Sequence, residues 1–295
     1  MNFIKNIEMN KVSTFIYIVL FILSFQFTMK SENRFEDMFP SDDEMLVEFY
    51  SIPSPDEILS YIHNNEIQYT PGIISDESKK NEYRTSTEKL QALGFYLADM
   101  AYTITFNQSA TSLNYFEAVE DLGKNLNIFP PEVESLGQRI IKNMNRMDSL
   151  NILYDEVYLT IIGNLHETDR FGEYAIISAG GFVESLYLAL NSDGTKIMED
   201  EFINRVWEQK MIMDQLHKMF ERYLSSSVKT QIMSDITPLT KAFNEFVQHN
   251  TVASSATRND GAVLIGVLPS PEKESPQPIT KIKEEVNKLR SKWVK

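Results

Sequence analysis

The sequence predicts an all-α protein, a multi-helix bundle or a stack of antiparallel helix pairs, with at most one short strand near residues 262–268. Three observations predict it. From about residue 77 onward, oily side chains recur at spacings of three and four, the period of a buried helical face. Capping residues such as Ser and Asp, or Pro pairs, precede these runs. Connections between runs are mostly two to six residues long, which suits antiparallel neighbours.

Residues 1–29 read as a signal peptide or an N-terminal anchor. Lys5 and Lys11 precede an apolar run over 15–27 that is interrupted only by Ser24 and Gln26. That run has signal-peptide length and is short of the roughly 20 residues a spanning helix needs. No Ala-x-Ala site marks a cleavage point. The expected destination is the periplasm or cell envelope.

Residues 30–52 are acidic and aperiodic, a flexible lead-in. One helical domain is expected over 53–295. Ser54-Pro55-Asp56-Glu57 supplies a capping box with Pro at the first helical position, opening a helix to about residue 64. Residues 66–75, with Thr70-Pro71-Gly72, read as extended or turned. Next comes a helix with the stripe Leu90, Leu93, Leu97, Ala101 and Ile104. Ser109 is expected to cap another, carrying Leu113, Phe116, Val119, Leu122 and Leu126 inward. Pro130-Pro131 starts a helix over 132–145. Asp148 is read as the cap of a helix to about 166, and Asp169 as the cap of one to about 190. The longest helix is expected over 199–224, with the stripe Phe202, Val206, Met213, Leu216 and Phe220. A further helix over 228–249 contains Pro238, which should kink or split it. Residues 251–278 read as a loop rich in small residues and Pro. A last helix over 280–293, with Ile282, Val286, Leu289 and Trp293 on one side, should dock onto the body.

Composition excludes several functions. The formal net charge is −14; residues 1–29 carry +1, which leaves −15 for the rest. Such a surface repels phosphate backbones and anionic lipid, so no nucleic-acid partner is expected. Membrane contact is expected only through an uncleaved N-terminal segment. The absence of Cys removes disulfides, thiolate zinc sites and Cys nucleophiles together.

No motif carries recognisable chemistry. The histidines His63, His166, His217 and His249 are scattered, and His166-Glu167 lacks the second His of a zincin helix. Ser178 and Ser185 lie in no nucleophile elbow. No phosphate-binding Gly loop occurs, and no metal or cofactor is expected. Asn107-Gln108-Ser109 matches a glycosylation acceptor. Met211, Met213 and Met219 read first as core filling.

Two segments stand out and echo each other. Asp99 lies between Tyr96 and Tyr102 amid apolar residues, and Glu184 precedes Tyr187 in similar company. A carboxylate beside tyrosines suits a cationic or sugar ligand, or an internal hydrogen bond. Gly180 and Gly181 fall inside an apolar helix, where each costs about 1 kcal/mol relative to Ala. Close approach of another backbone would offset that cost; a pocket rimmed by Glu184 and Tyr187 is the sharper reading. Gly94 is read alike. The ligand-binding candidates are therefore Asp99, Tyr102, Gly180, Gly181, Glu184 and Tyr187.

The segments Leu93-Gly94-Phe95-Tyr96-Leu97-Ala98-Asp99-Met100-Ala101-Tyr102 and Ser178-Ala179-Gly180-Gly181-Phe182-Val183-Glu184-Ser185-Leu186-Tyr187 carry a resemblance. Over about residues 50–250 the chain resembles an uncharacterised family of exported, all-helical envelope proteins, often lipoproteins, from Bacteroidetes-type bacteria. Pro53-Ser54-Pro55 and Glu208-Gln209-Lys210 fit the same pattern. The resemblance implies a helical fold and export, and no activity. Lacking Cys, this chain departs from the lipoprotein members.

The expected function is thus an exported interaction or scaffold protein of the cell envelope, with an envelope protein, a peptide or a glycan as partner. The alternative is a carboxylate-dependent hydrolase of glycans or peptides, using Asp99 and Glu184 as a pair about 5–10 Å apart.

Overall fold

The computed structural model describes Leu59 and residues 67–129, 142, 147–192, 200–253 and 277–295, all within one unit spanning Glu48–Lys295. Among the described residues the chain is helical and contains no strand. The leader, the acidic lead-in and the expected strand over 262–268 lie outside them. So do the helices expected over 55–64 and 132–145, apart from Leu59 and Lys142, both of which are helical.

The α-helices run in the order α1 (Ser86–Thr105), α2 (Ser109–Asn125), α3 (Met147–Glu167), α4 (Phe171–Asn191), α5 (Asp200–Tyr223), α6 (Ser226–Ala253) and α7 (Gln277–Trp293). Ahead of α1, a strap over 67–81 contains two short 3-10 turns, Pro71–Ile73 and Glu77–Asn81.

The centre of the fold is the crossing of α1 with α4. Every residue of α1 from Leu90 to Ile104 is buried, so the expected stripe is replaced by burial on all sides. The neighbours explain it: α4, α2, α3 and α7 all pack against α1, and an enclosed helix needs no polar face. Likewise α4 is buried from Tyr174 to Leu190 except at Tyr187, with α1, α3, α5 and α7 around it. The outer helices keep the predicted stripes. Phe202, Val206, Met213, Leu216 and Phe220 of α5 are buried, as are Ile282, Val286, Leu289 and Trp293 of α7. In α2, Phe116, Val119 and Leu122 are buried, whereas Leu113 and Leu126 are half-buried.

Helix ends follow a local logic that the capping expectations partly missed. Thr85 opens α1 through a reciprocal capping box with Glu88. Three helices then close the same way, through one residue in the left-handed conformation: Asn107 after α1 (φ 61°), Asn127 after α2 (φ 52°) and Asp169 after α3 (φ 55°). In each, the amide of that residue bonds a carbonyl three back, and the next amide reaches five back, as in Arg170 to Leu165 at 2.8 Å. This is the Schellman closure, with short polar side chains in place of Gly. Asp169 therefore ends α3 rather than capping α4, whose N-cap position is Arg170. Ser109 is the first residue of α2 and not its cap, and Asp148 lies inside the first turn of α3.

Pro238 neither splits nor ends its helix. It sits inside the continuous 28-residue α6, which is longer than the 24-residue α5. Its ring faces outward at an exposed position. The hydroxyls of Thr237 and Thr240 bond carbonyls one turn back, at Met233 and Ile236, on either side of the missing amide.

Candidate functional site

Glycine explains how the central helices meet. A Cβ built on Gly94 would lie 2.1 Å from the carbonyl oxygen of Ile177 and 2.6 Å from the amide nitrogen of Gly181. One on Gly180 would lie 2.3 Å from the carbonyl oxygen of Gln91. Backbone thus touches backbone, which is the offset that interior glycines require. The crossing leaves no pocket above Gly94 or Gly180.

One turn beyond this crossing, Asp99 of α1 and Glu184 of α4 lie against each other as an electrostatically interacting pair, each with zero exposed surface. Asp99 turns Oδ2 toward the strap, where the amide of Ser75 donates at 3.3 Å and the Ser75 hydroxyl donates as well. Glu184 accepts a two-pronged bond from Arg290 of α7, Nε to Oε2 at 2.8 Å and a terminal nitrogen to Oε1 at 2.8 Å. The same Arg290 donates to the carbonyl of Ile73 at 3.0 Å and stacks its guanidinium 4.0 Å from the centre of the Tyr187 ring. A planar fork matches a carboxylate and an aromatic face together, a role Lys could not fill.

The remaining candidate, Tyr102, also holds the strap. Its hydroxyl accepts from the amide of Thr70 at 3.0 Å and lies 3.2 Å from the hydroxyl of Ser192 at the end of α4. Tyr96, three residues before Asp99, donates to the carbonyl of Asp76 at 3.2 Å, and Tyr115 of α2 donates to the carbonyl of Ser75. Tyr96, Asp99 and Tyr102 therefore share one helix face and together fasten residues 70–76. Asp99, Glu184 and Tyr187 converge around Arg290, Tyr102 acts beside them, and Gly180 and Gly181 form the contact beneath.

Electrostatics follow from enclosure. Burial, and then the neighbouring Glu184 charge, hold the Asp99 carboxyl well above the usual carboxylate range. Burial raises Glu184 too, while Arg290 pulls it back. For Arg290, burial works downward and the Glu184 charge more than reverses it. The phenols of Tyr96 and Tyr115 are pushed up by burial.

Sequence reasoning missed Arg290, Ser75 and Tyr115. Arg290 lies 106 residues from Glu184, and no local spacing links them. It also missed Asp235 of α6, which accepts from the Trp293 indole at 2.9 Å and from Lys292 at 2.5 Å. His217 bonds Thr240 at 2.9 Å, and burial lowers its imidazole. Among the described residues no group of His, Asp and Glu could hold a metal ion, and no helix is long and apolar enough to cross a membrane.

At the surface, Met213 and Met219 fill core as expected, but Met211 does not: it is 76% exposed, one turn from the part-exposed Trp207. Ile152 and Leu159 of α3, two turns apart, are exposed as well.

No family model, curated protein or solved structure matches the chain.

Proposed function

We propose that the chain is an exported, non-enzymatic helical interaction or scaffold protein of the cell envelope, which presents its surface to an envelope protein, a peptide or a glycan. The observation that carries this reading is the complete enclosure of Asp99 and Glu184, which are held from the strap by Ser75 and from α7 by Arg290. Residues so placed hold helices together and do not meet a ligand. The exposed pair Trp207 and Met211 on α5 adds support, since aromatic and Met side chains are common anchors of protein interfaces.

The hydrolase alternative draws on the meeting of the two carboxyls. It also needs water and a substrate bond between them, and neither side chain has any exposed surface.

Cross-linking in intact cells followed by fractionation tests the proposal. The expected result is an envelope-fraction adduct of fixed stoichiometry, retained by Asp99→Asn and lost in Trp207→Ser/Met211→Ser without a change in melting temperature. Recovery of the chain from the cytosol alone, or glycan or peptide cleavage abolished by Asp99→Asn, would overturn it.

A further inference from the structure

The Asp99–Glu184 contact has a charge problem. Two acidic groups touch in the interior, and a single cation, Arg290, faces them. Among the described residues, the other groups set against the pair supply no second positive charge. From the strap come the Ser75 amide and hydroxyl and the phenol of Tyr69; from α1 and its approach, Tyr96 and Tyr83; from α2, Tyr115. Burial pushes all four phenols up, so they stay neutral. From α4 comes Tyr187, under the guanidinium. The nearby cations of the last turn are taken: Lys292 by Asp235 and Lys295 by Glu88.

A second observation points the same way. Oδ1 of Asp99 is buried with no donor facing it, while Oδ2 takes both bonds from Ser75. Two carboxylates can only accept, so their contact is a hydrogen bond only when a proton lies between them. Oδ1, the oxygen without a donor, is the natural seat of that proton. Placed there, it turns a repulsive contact into a donated bond to Glu184 and leaves one negative charge for one guanidinium.

We propose that Asp99 and Glu184 form a proton-binding site built into the fold, which holds one proton when the strap, α1, α4 and α7 are assembled and loosens that assembly when rising pH strips it. This goes beyond the scaffold reading and does not depend on what the protein binds. The sign follows from linkage. Asp99 binds its proton more tightly folded than unfolded, so its stabilising contribution is complete below the ordinary carboxylate range and is lost as pH climbs through the folded value. Deprotonation leaves two like charges in a sealed interior, and the glycine contact beneath them gives the helices no slack to part.

Urea unfolding of the full chain and of Asp99→Asn tests this. The amide mimics the protonated acid, accepting from Ser75 and donating to Glu184. One proton taken up on folding raises the wild-type unfolding constant, relative to the variant, about tenfold per pH unit from the upper edge of the ordinary carboxylate range up to the pH at which the folded pair gives up its proton. A ratio that stays constant over that range overturns the proposal. Should Asp99→Asn fail to fold, infrared spectroscopy of the wild-type chain in heavy water, titrated upward from the ordinary carboxylate range, decides. A protonated-carboxyl band that vanishes on unfolding is expected, and a folded protein without that band overturns the inference.

Discussion

The indole N–H of Trp293 donates to Oδ2 of Asp235 at 2.9 Å, joining the last turn of α7 to the side of α6. Both residues are buried, and Lys292 occupies the other oxygen. The Trp ring itself rests near Phe95 of α1, with centroids 6.4 Å apart. Trp293→Phe keeps most of that packing and removes the donor. The expected loss is about 1–3 kcal/mol, the cost of leaving a buried acceptor short of a partner. Urea unfolding measures it, and an unchanged midpoint would show that Lys292 alone satisfies Asp235.

The glycines give a sharper contrast. Gly94→Ala and Gly180→Ala each drive a methyl into backbone, with no flexible side chain to yield, and should destabilise by several kcal/mol, beyond the usual 1–3 kcal/mol for overpacking. Gly163 of α3 has nothing within 4 Å of its built Cβ. Gly163→Ala should stabilise by about 0.5–1 kcal/mol through helix propensity alone. Thermal melts of the three variants check the ranking; equal shifts would refute the close crossing.

Removing Arg290 strands a buried charge. Arg290→Ala should cost about 3–5 kcal/mol, because Glu184 then lies enclosed without a counter-ion. Replacing both partners, as in Glu184→Leu/Arg290→Met, should recover much of that loss, since an apolar pair of similar volume needs no compensation. Denaturation of the single and double variants provides the comparison. A double variant no better than Arg290→Ala would mean that the bond to Ile73 or the stack on Tyr187 dominates.

Acid acts at the other end of the scale. The carboxyl of Glu88 is held down at about 2, first by the Thr85 amide, then by Lys295 and the Arg84 amide. A depressed value contributes stability above the ordinary carboxylate range, and that contribution fades as pH falls toward about 2. Thr85→Ala, which breaks the capping box, should cost about 1 kcal/mol near neutrality. The effect of Glu88→Gln should shrink as pH falls through this window, and chemical denaturation at several pH values will show whether it does.

How far the sequence could be read depends on the range of each signal. Stripes at spacings of three and four identified α5 and α7 because those helices bury one side only. The same rule understated α1, where Tyr96, Asp99 and Tyr102 face inward too: helices on every side accept apolar residues at any position, and the period disappears. Asp169 was read as a starting cap because Asp serves at both ends of a helix; only its left-handed backbone tells them apart. Pro238 was expected to kink or split its helix, and its exposed, outward position lets α6 continue unsplit. The glycines and the two carboxyls were visible as anomalies. Their partners were not, since Ser75, Ile73 and Arg290 come from segments whose local pattern says nothing of where they pack.

The distance in sequence between Glu184 and Arg290 has a kinetic consequence. During synthesis the two inner helices emerge with their acidic pair unmatched, and the residue that neutralises it follows 106 positions later. Contacts of such long separation slow folding, because loop closure costs entropy before the bond repays it. Nascent chains of this protein should therefore linger half-assembled and exposed to proteases until α7 arrives, after which the interior shuts in a single late step.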